Sequence, residues 1–192
     1  MTSDVLLWVD LETPGLKPGP GHCVLECALA VTDLQFNVLG TTSQLVPADT
    51  RAAYEVADAF VKDMHTENNL WAEHHAFMHA ENVPTIGELS DYLITWAAGF
   101  GIFPGDKSTL FCGQGTAGVD LDYLTAYLPR VRQLWGHRAL DLSAWRDLVM
   151  KWYGCKYTDR PALVGTTHRA LDDILHTIDV ARWIKERFWV RE

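Results

Sequence analysis

The apolar positions of the chain change period as it runs. Val5-Leu6-Leu7-Trp8-Val9 is a short continuous apolar run that ends in Asp10-Leu11-Glu12. A short run rich in Val and Leu predicts a buried strand. Alternate side chains of a strand share a face, so Asp10 and Glu12 point the same way, just before the turn-forming Thr13-Pro14-Gly15. The prolines and glycines between Thr13 and Gly21 predict a loop. A second strand is expected from Cys23 to Thr32, apolar but for Glu26, and a third from Val38 to Val46, with alternation around Thr41, Thr42 and Ser43. Joined by a tight connection at Asp33 to Asn37, the three predict an antiparallel meander.

From Asp49 the period becomes helical. One helix is expected from an N-cap at Thr50 to Phe60, a second from Glu67 to Glu81, and a third from Pro84-Thr85 to Ala98, with Leu89, Leu93 and Trp96 on one stripe. The second carries His74, His75 and His79. No glutamate follows the first histidine of the i, i+4 pair, so a solvated face is the simpler reading. Gly99 to Asp106 is rich in breakers. Thr109 to Cys112 then predicts a short buried strand ending at Gly113, followed by a flexible turn, Gln114 to Gly118. A helix from Asp120 to Tyr127 stops near Pro129, and a strand from His137 to Leu142 places Asp141 at its end. Ser143 is the expected cap of a helix from Ala144 to Tyr153. After a polar loop, Gly154 to Gly165, Thr166 or Thr167 caps a last helix, Arg169 to Phe188. These elements predict an α/β fold with a mixed central sheet of about five strands flanked by helices. No repeat or interdomain linker divides it, so residues 1–192 are expected to form one domain.

Composition changes this picture only in part. Apolar content of 48% and charged content of 21% are ordinary for a globular chain. A net charge of −9 argues against broad electrostatic binding to long nucleic acid, although a cluster of metal-binding acids would add to that charge. The cysteines Cys23, Cys27, Cys112 and Cys155 form no C-x-x-C pair and are expected as reduced, mostly buried thiols. The sequence has no signal-peptide pattern, no membrane-length apolar segment and no lipidation motif, which predicts a cytoplasmic protein without a membrane partner.

The candidate chemistry lies in carboxylates. Asp10 and Glu12 end the first strand, Asp120 opens a helix after the glycine-rich turn, and Asp173 follows His168 by five residues in His168-Arg169-Ala170-Leu171-Asp172-Asp173. Taken singly, each has an ordinary explanation: an acid at a helix start, a solvated face, a loop histidine. Like charges gathered in a partly dry place instead call for a cation, and hard oxygen donors suit magnesium or manganese.

Together the order D-x-E, D-x-x-Y-L, H-x-A-x-x-D resembles the three motifs of the DEDDh 3′→5′ exonucleases, whose fold is the RNase H-like, DnaQ-like one. Within that group the chain is most similar to the oligoribonuclease family. The likeness rests on Leu7 to Glu12 with Gly15-Leu16, on Phe60 and His65 followed by Asn69-Leu70, on Arg138-Ala139-Leu140-Asp141-Leu142-Ser143, and on Thr167 to Ile174. The chain departs from that pattern at Thr13-Pro14, at Phe60 where the family has tryptophan, at Gln114-Gly115 where it has Asn-Ser, and in a longer turn before Asp120.

The resemblance implies two magnesium or manganese ions on Asp10, Glu12, Asp120 and Asp173, with Asp10 bridging and His168 as general base. It implies release of nucleoside 5′-monophosphates from short single-stranded oligonucleotides, RNA rather than DNA. Leu16 and Phe60 would wedge and stack the bases, and His65 and Arg138 would hold a 5′-terminal phosphate. It also implies a homodimer in which the stretch Arg138 to Ser143 reaches the partner's site. Two other readings share the motifs. One is a general DEDDh exonuclease on single-stranded DNA, with the same ligands. The other is a non-catalytic nucleic-acid-binding module, disfavoured because all four acids and the histidine are present.

Overall fold

In the computed structural model, which describes residues 4–115, 118–154 and 167–188, the first apolar run becomes β1 (Val5–Glu12), the centre strand of a five-stranded sheet. β2 (Glu26–Asp33) pairs antiparallel with β1, and β3 (Val38–Leu45) antiparallel with β2. On the other side β4 (Phe111–Gly113) runs parallel to β1, and β5 (Ala139–Asp141) parallel to β4. The order β3-β2-β1-β4-β5 is thus the expected mixed sheet. β2 is shorter than its apolar run: Cys23 to Leu25 are buried but lie before the ladder, where the Leu25 N–H donates to the Glu12 carbonyl at 2.8 Å.

The parity of β1 divides the core. Leu7, Val9 and Leu11 face α4 (Ile86–Ala98), α5 (Val119–Tyr127) and α6 (Pro129–Arg132). Leu6 and Trp8 face α7 (Leu142–Tyr153) and α8 (Ala170–Phe188). Trp8 is fully buried, and its indole N–H donates to Thr32 Oγ1 at 3.0 Å. Cys23, Cys27 and Cys112 are buried free thiols, as expected; Cys155 lies outside the described residues.

Several helix boundaries differ from expectation. The single helix to Phe60 is two, α1 (Thr50–Val56) and α2 (Ala59–Glu67), because Asp58 leaves the helical path to accept the Val61 N–H at 2.9 Å. Asp49, not Thr50, caps α1 by accepting the Ala52 N–H at 3.0 Å, and the Thr50 hydroxyl goes to His74 instead. α3 (Leu70–Met78) starts after Asn69, whose φ of 65° is left-handed. Asparagine is the side chain other than glycine that tolerates this region best. His75 and His79 stack on the exposed face, as expected, but His74 turns inward and is buried. Pro129 stops α5 and also opens α6, since proline fits the first turn of a helix. Asp141, not Ser143, caps α7: it accepts the Ser143 N–H at 2.9 Å. The Thr167 hydroxyl donates to Asp172 Oδ2 at 2.6 Å instead of accepting from the backbone of α8; Thr166 lies outside the described residues.

Candidate active site

Asp10 and Glu12 continue the face of Leu6 and Trp8, so the end of β1 delivers two carboxylates toward α8. The first turn of α8 supplies Asp173. One oxygen from each of Asp10, Glu12 and Asp173 lies within 4.8 Å of the others. Asp120, in the first turn of α5, is buried next to them, and its carboxylate accepts the Leu11 N–H.

Burial, and then the charges of Asp120, Glu12, Asp173 and Glu26, push Asp10 well above the carboxylate range. Burial together with Asp173, Glu26 and Asp120 pushes Glu12 up to about 9, with Arg169 acting against it. Burial raises Asp120 to about 8, the Leu11 N–H opposing, and burial raises Asp173, the charges of His168 and His176 opposing. At an effective dielectric of ~20, two charges 4.8 Å apart repel by roughly 3 kcal/mol. Asp10, Glu12 and Asp173 therefore do not all ionise here without a cation, and Asp120, outside that close group, adds its charge against Asp10 and Glu12. Asp173 Oδ1 is buried without a hydrogen-bond partner, which leaves a lone pair facing the cluster. An all-carboxylate donor set with a spare oxygen fits a hard divalent ion such as magnesium or manganese.

His168 lies two residues before α8, with φ 52°, close enough for its charge to favour ionised Asp173. It lines a cavity of about 630 Å³ with Phe60, Asn68, Arg169 and Asp172. The backbone around it is fastened from two sides. The Asn68 side-chain amide donates to the carbonyls of Thr167, at 3.3 Å, and of His168. Arg169 donates to both oxygens of Glu26, at 3.0 and 3.2 Å, and reaches Glu73 at 2.9 Å. Glu26 faces Glu12 across the β1–β2 ladder and also accepts the Ala170 N–H at 3.2 Å, so it ties the start of α8 to the sheet. Sequence reasoning missed Asn68 and Arg169. The signal for the second was Glu26, a lone charge in an apolar strand that needed a cationic partner.

The expected substrate contacts are dispersed. Leu16 and Phe60 are 78% and 70% exposed, unusual for large apolar side chains. The loop bearing Leu16 is pinned by Tyr123 and Tyr127, whose hydroxyls donate to the carbonyls of Lys17 and Gly19 at 3.0 Å each. His65 is fully buried, edge-on to Trp71, with Nε2 3.6 Å from Glu12 Oε2. Burial lowers it to about 4, so it is neutral, and the contact is not an ion pair. Ser143 is half-buried in the first turn of α7. Arg138 is exposed, and its carbonyl accepts the Phe111 N–H at 2.9 Å at the far end of β5. The parallel register aligns Ala139 with Phe111 and Phe111 with Leu7. Arg138 thus lies two strands over from Asp10 and, at ~3.3 Å per residue, roughly 13 Å back along the sheet.

No family model matches the chain. Among curated proteins, the oligoribonuclease of Corynebacterium glutamicum (strain R) is 31% identical over 189 residues, 98% of this chain and 82% of that protein. The oligoribonuclease of Leifsonia xyli subsp. xyli is 28% identical over 191 residues, 100% of this chain and 87% of that protein. Among solved structures, cell-death related nuclease 4 superposes with a TM-score of 0.69 at 16% identity, over 97% of this chain and 65% of that one. The zinc-bound E. coli exonuclease I–ssDNA complex gives 0.62 at 16% identity; it covers 97% of this chain, which spans 41% of the exonuclease I chain. Both carry the RNase H-like exonuclease fold expected from the sequence.

Proposed function

The chain belongs to the oligoribonuclease family, and from that premise we propose that it is a 3′→5′ exonuclease that reduces short RNA to nucleoside 5′-monophosphates. Asp10, Glu12, Asp120 and Asp173 would hold two magnesium or manganese ions. Bound there, such ions would supply an activated water and charge stabilisation on the phosphate and the leaving 3′-oxygen. The imidazole of His168 takes the proton from the attacking water as general base. The scissile P–O3′ bond breaks, and the shortened strand keeps a 3′-hydroxyl. The observation that carries this reading is the buried, unpartnered Asp173 Oδ1 among acids that cannot all ionise alone, with His168 on the adjoining cavity wall.

Leu16 and Phe60 meet the bases, as their exposure on a pinned loop and on the cavity wall allows. His65, the resemblance's second phosphate contact, is closed off from solvent and neutral, so the positive charge of the phosphate cap falls to Arg138. Arg138 stands too far along the sheet to serve its own acids, and it acts with Ser143 in the site of a second copy. Exposed Leu148, Trp152 and Tyr153 on α7, the helix that follows β5, offer an apolar face for that homodimer. Among the described residues no helix is long and apolar enough to cross a membrane.

The test is digestion of RNA and DNA ladders from two to about twenty nucleotides. RNA of two to five nucleotides is expected to be cut best. Arg138→Ala should lower kcat/KM about ten- to a hundredfold on dinucleotides, the scale of one charged hydrogen bond, and much less on a twenty-nucleotide strand. Equal kcat/KM at two and twenty nucleotides would leave a general DEDDh exonuclease as the description, and a DNA preference would favour the single-stranded DNA reading.

A further inference from the structure

His168 is held in an unusual way. Its φ of 52° is left-handed, a region that a side chain rarely adopts unless its surroundings impose it. The next residue, Arg169, begins the α8 hydrogen-bond ladder, since its carbonyl accepts the Asp173 N–H at 3.0 Å. The imidazole therefore sits on a single turned residue at the start of a helix. A small rotation there would swing the ring off the acid cluster.

Among the described residues, the Asn68 side chain grips this residue's backbone carbonyl, while the Asp173 carboxylate accepts a hydrogen bond from its backbone N–H. It ends α2, where its own N–H donates to the Met64 carbonyl at 3.1 Å. Its Oδ1 accepts the Leu70 N–H at 3.0 Å, which fixes the orientation of the amide. The NH2 group is then forced to the other side, onto the carbonyls of Thr167 and His168, about a hundred residues away in the chain. The same nitrogen is 3.5 Å from His65 Nδ1, in the ring beside Glu12. One side-chain amide thus spans the α2–α3 junction and the backbone of His168. Arg169 secures the other side through Glu26 and Glu73, but it grips its own side chain's partners, not the His168 carbonyl.

We propose that Asn68 is a positioning residue for the general base: through its NH2 it holds the His168 carbonyl and keeps the imidazole facing the acid cluster. This rests on the reading of His168 as the base. It acts through backbone geometry, so its loss should slow the proton transfer and leave substrate binding nearly unchanged.

The experiment is a double-mutant cycle on a short RNA in magnesium, with kcat and KM measured separately. Asn68→Asp keeps the oxygen that accepts the Leu70 N–H and removes the donor; Asn68→Ala removes both without adding charge. Each is expected to lower kcat about ten- to a hundredfold, less than the ~10²–10⁴-fold for losing the base itself, with KM within about twofold. In a His168→Ala background neither change should lower kcat further, because nothing is left to position. A loss that persists undiminished in that background, or falls mainly on KM, overturns the proposal and makes Asn68 a structural or charge-bearing residue. So does near wild-type kcat in both Asn68 variants while His168→Ala is crippled. A fully active His168→Ala would instead remove the general-base reading, and this inference with it. Thermal unfolding of both variants separates a shifted imidazole from a misfolded chain, and Asn68→Ala serves alone if Asn68→Asp does not fold.

Discussion

Two halves of one face of β1 obey opposite rules. Leu6 and Trp8 are dry and satisfied: the Trp8 ring meets Phe36 edge-on at 5.9 Å and its N–H has Thr32. Two residues further, ~6.6 Å along the same strand, half-buried Asp10 and, beyond it, buried Glu12 stand among other acids with nothing positive close enough to neutralise them all. Two buried histidines repeat the contrast. His74 is bonded at both nitrogens, to Thr50 Oγ1 and to the Val46 carbonyl, each at 2.8 Å. The Nε2 of His65 has no partner and faces Glu12. At this end of β1 the unrelieved polar groups lie next to packed, fully bonded structure that fixes the backbone. The same strand face thus sets residues that stabilise the fold beside residues whose charges it leaves unrelieved.

Exchanging the two halves' fates is the strongest way to break the comparison. Trp8→Ala should cost about 3–5 kcal/mol in urea unfolding, as for a large side chain removed from a packed core. Asp10→Asn should leave the metal-free protein at least as stable, yet lower kcat by about 10²–10³-fold, the scale of losing one preorganised electrostatic group. An Asp10→Asn protein that unfolds more readily, or that turns over at the wild-type rate in magnesium, erases the distinction. A smaller difference separates the histidines. His74→Phe should cost about 1–3 kcal/mol by stranding the Val46 carbonyl, and His65→Phe less than about 1 kcal/mol in metal-free protein. Similar losses for the two would mean that the Glu12 contact stabilises the fold.

The smallest effect is a shift with pH. Glu12 and Asp120 are raised on folding, from 4.5 to about 9 and from 3.8 to about 8. The folded state therefore holds protons that the unfolded state has lost. Their contribution is complete below about pH 4 and disappears as pH rises through 8–9, so the metal-free Tm should fall between pH 5 and 9. His65, lowered from 6.5 to about 4, acts the other way, and its contribution is lost as pH falls from 6.5 through 4. Each kcal/mol corresponds to about 2–4 °C for a chain of this size. Manganese competes with those protons and should raise Tm more at pH 8.5 than at pH 6. A Tm in chelator that stays level or rises from pH 6 to 9 would contradict the assigned burial of these acids.

The sequence made β1 legible because a period of two needs no tertiary information: it put Asp10 and Glu12 on one face before any partner was known. The mixed sheet was legible for a related reason, since the first three strands and the later alternation differ in period. The breaks at Asp58 and Pro129 were not, because a side-chain cap competes locally with an otherwise continuous helical pattern. Asp49 and Asp141 took the capping roles expected of Thr50 and Ser143, as adjacent residues of similar capping strength are separated only by the backbone path. The resemblance made His65 a phosphate contact and it is buried, since a matched motif position does not say what packs across it. Asn68 gave no signal at all, since its partners lie a hundred residues downstream.

The cysteines give the sheet an internal record of its own opening. Cys27 stands on β2 opposite Leu11, and Cys112 on β4 opposite Trp8, one on each seam of the centre strand. Burial pushes both thiols far up, and the charges of Asp120 and Asp10 add to it at Cys27. Only a thiolate attacks an alkylating reagent, so in the closed molecule both sulfurs are chemically silent. Cys27 is buried in the layer of α4 to α6 and Cys112 in the layer of α7 and α8, so whichever layer lifts first releases its own cysteine to be labelled. The order in which the two modified peptides accumulate therefore dates the opening of one face of the sheet against the other.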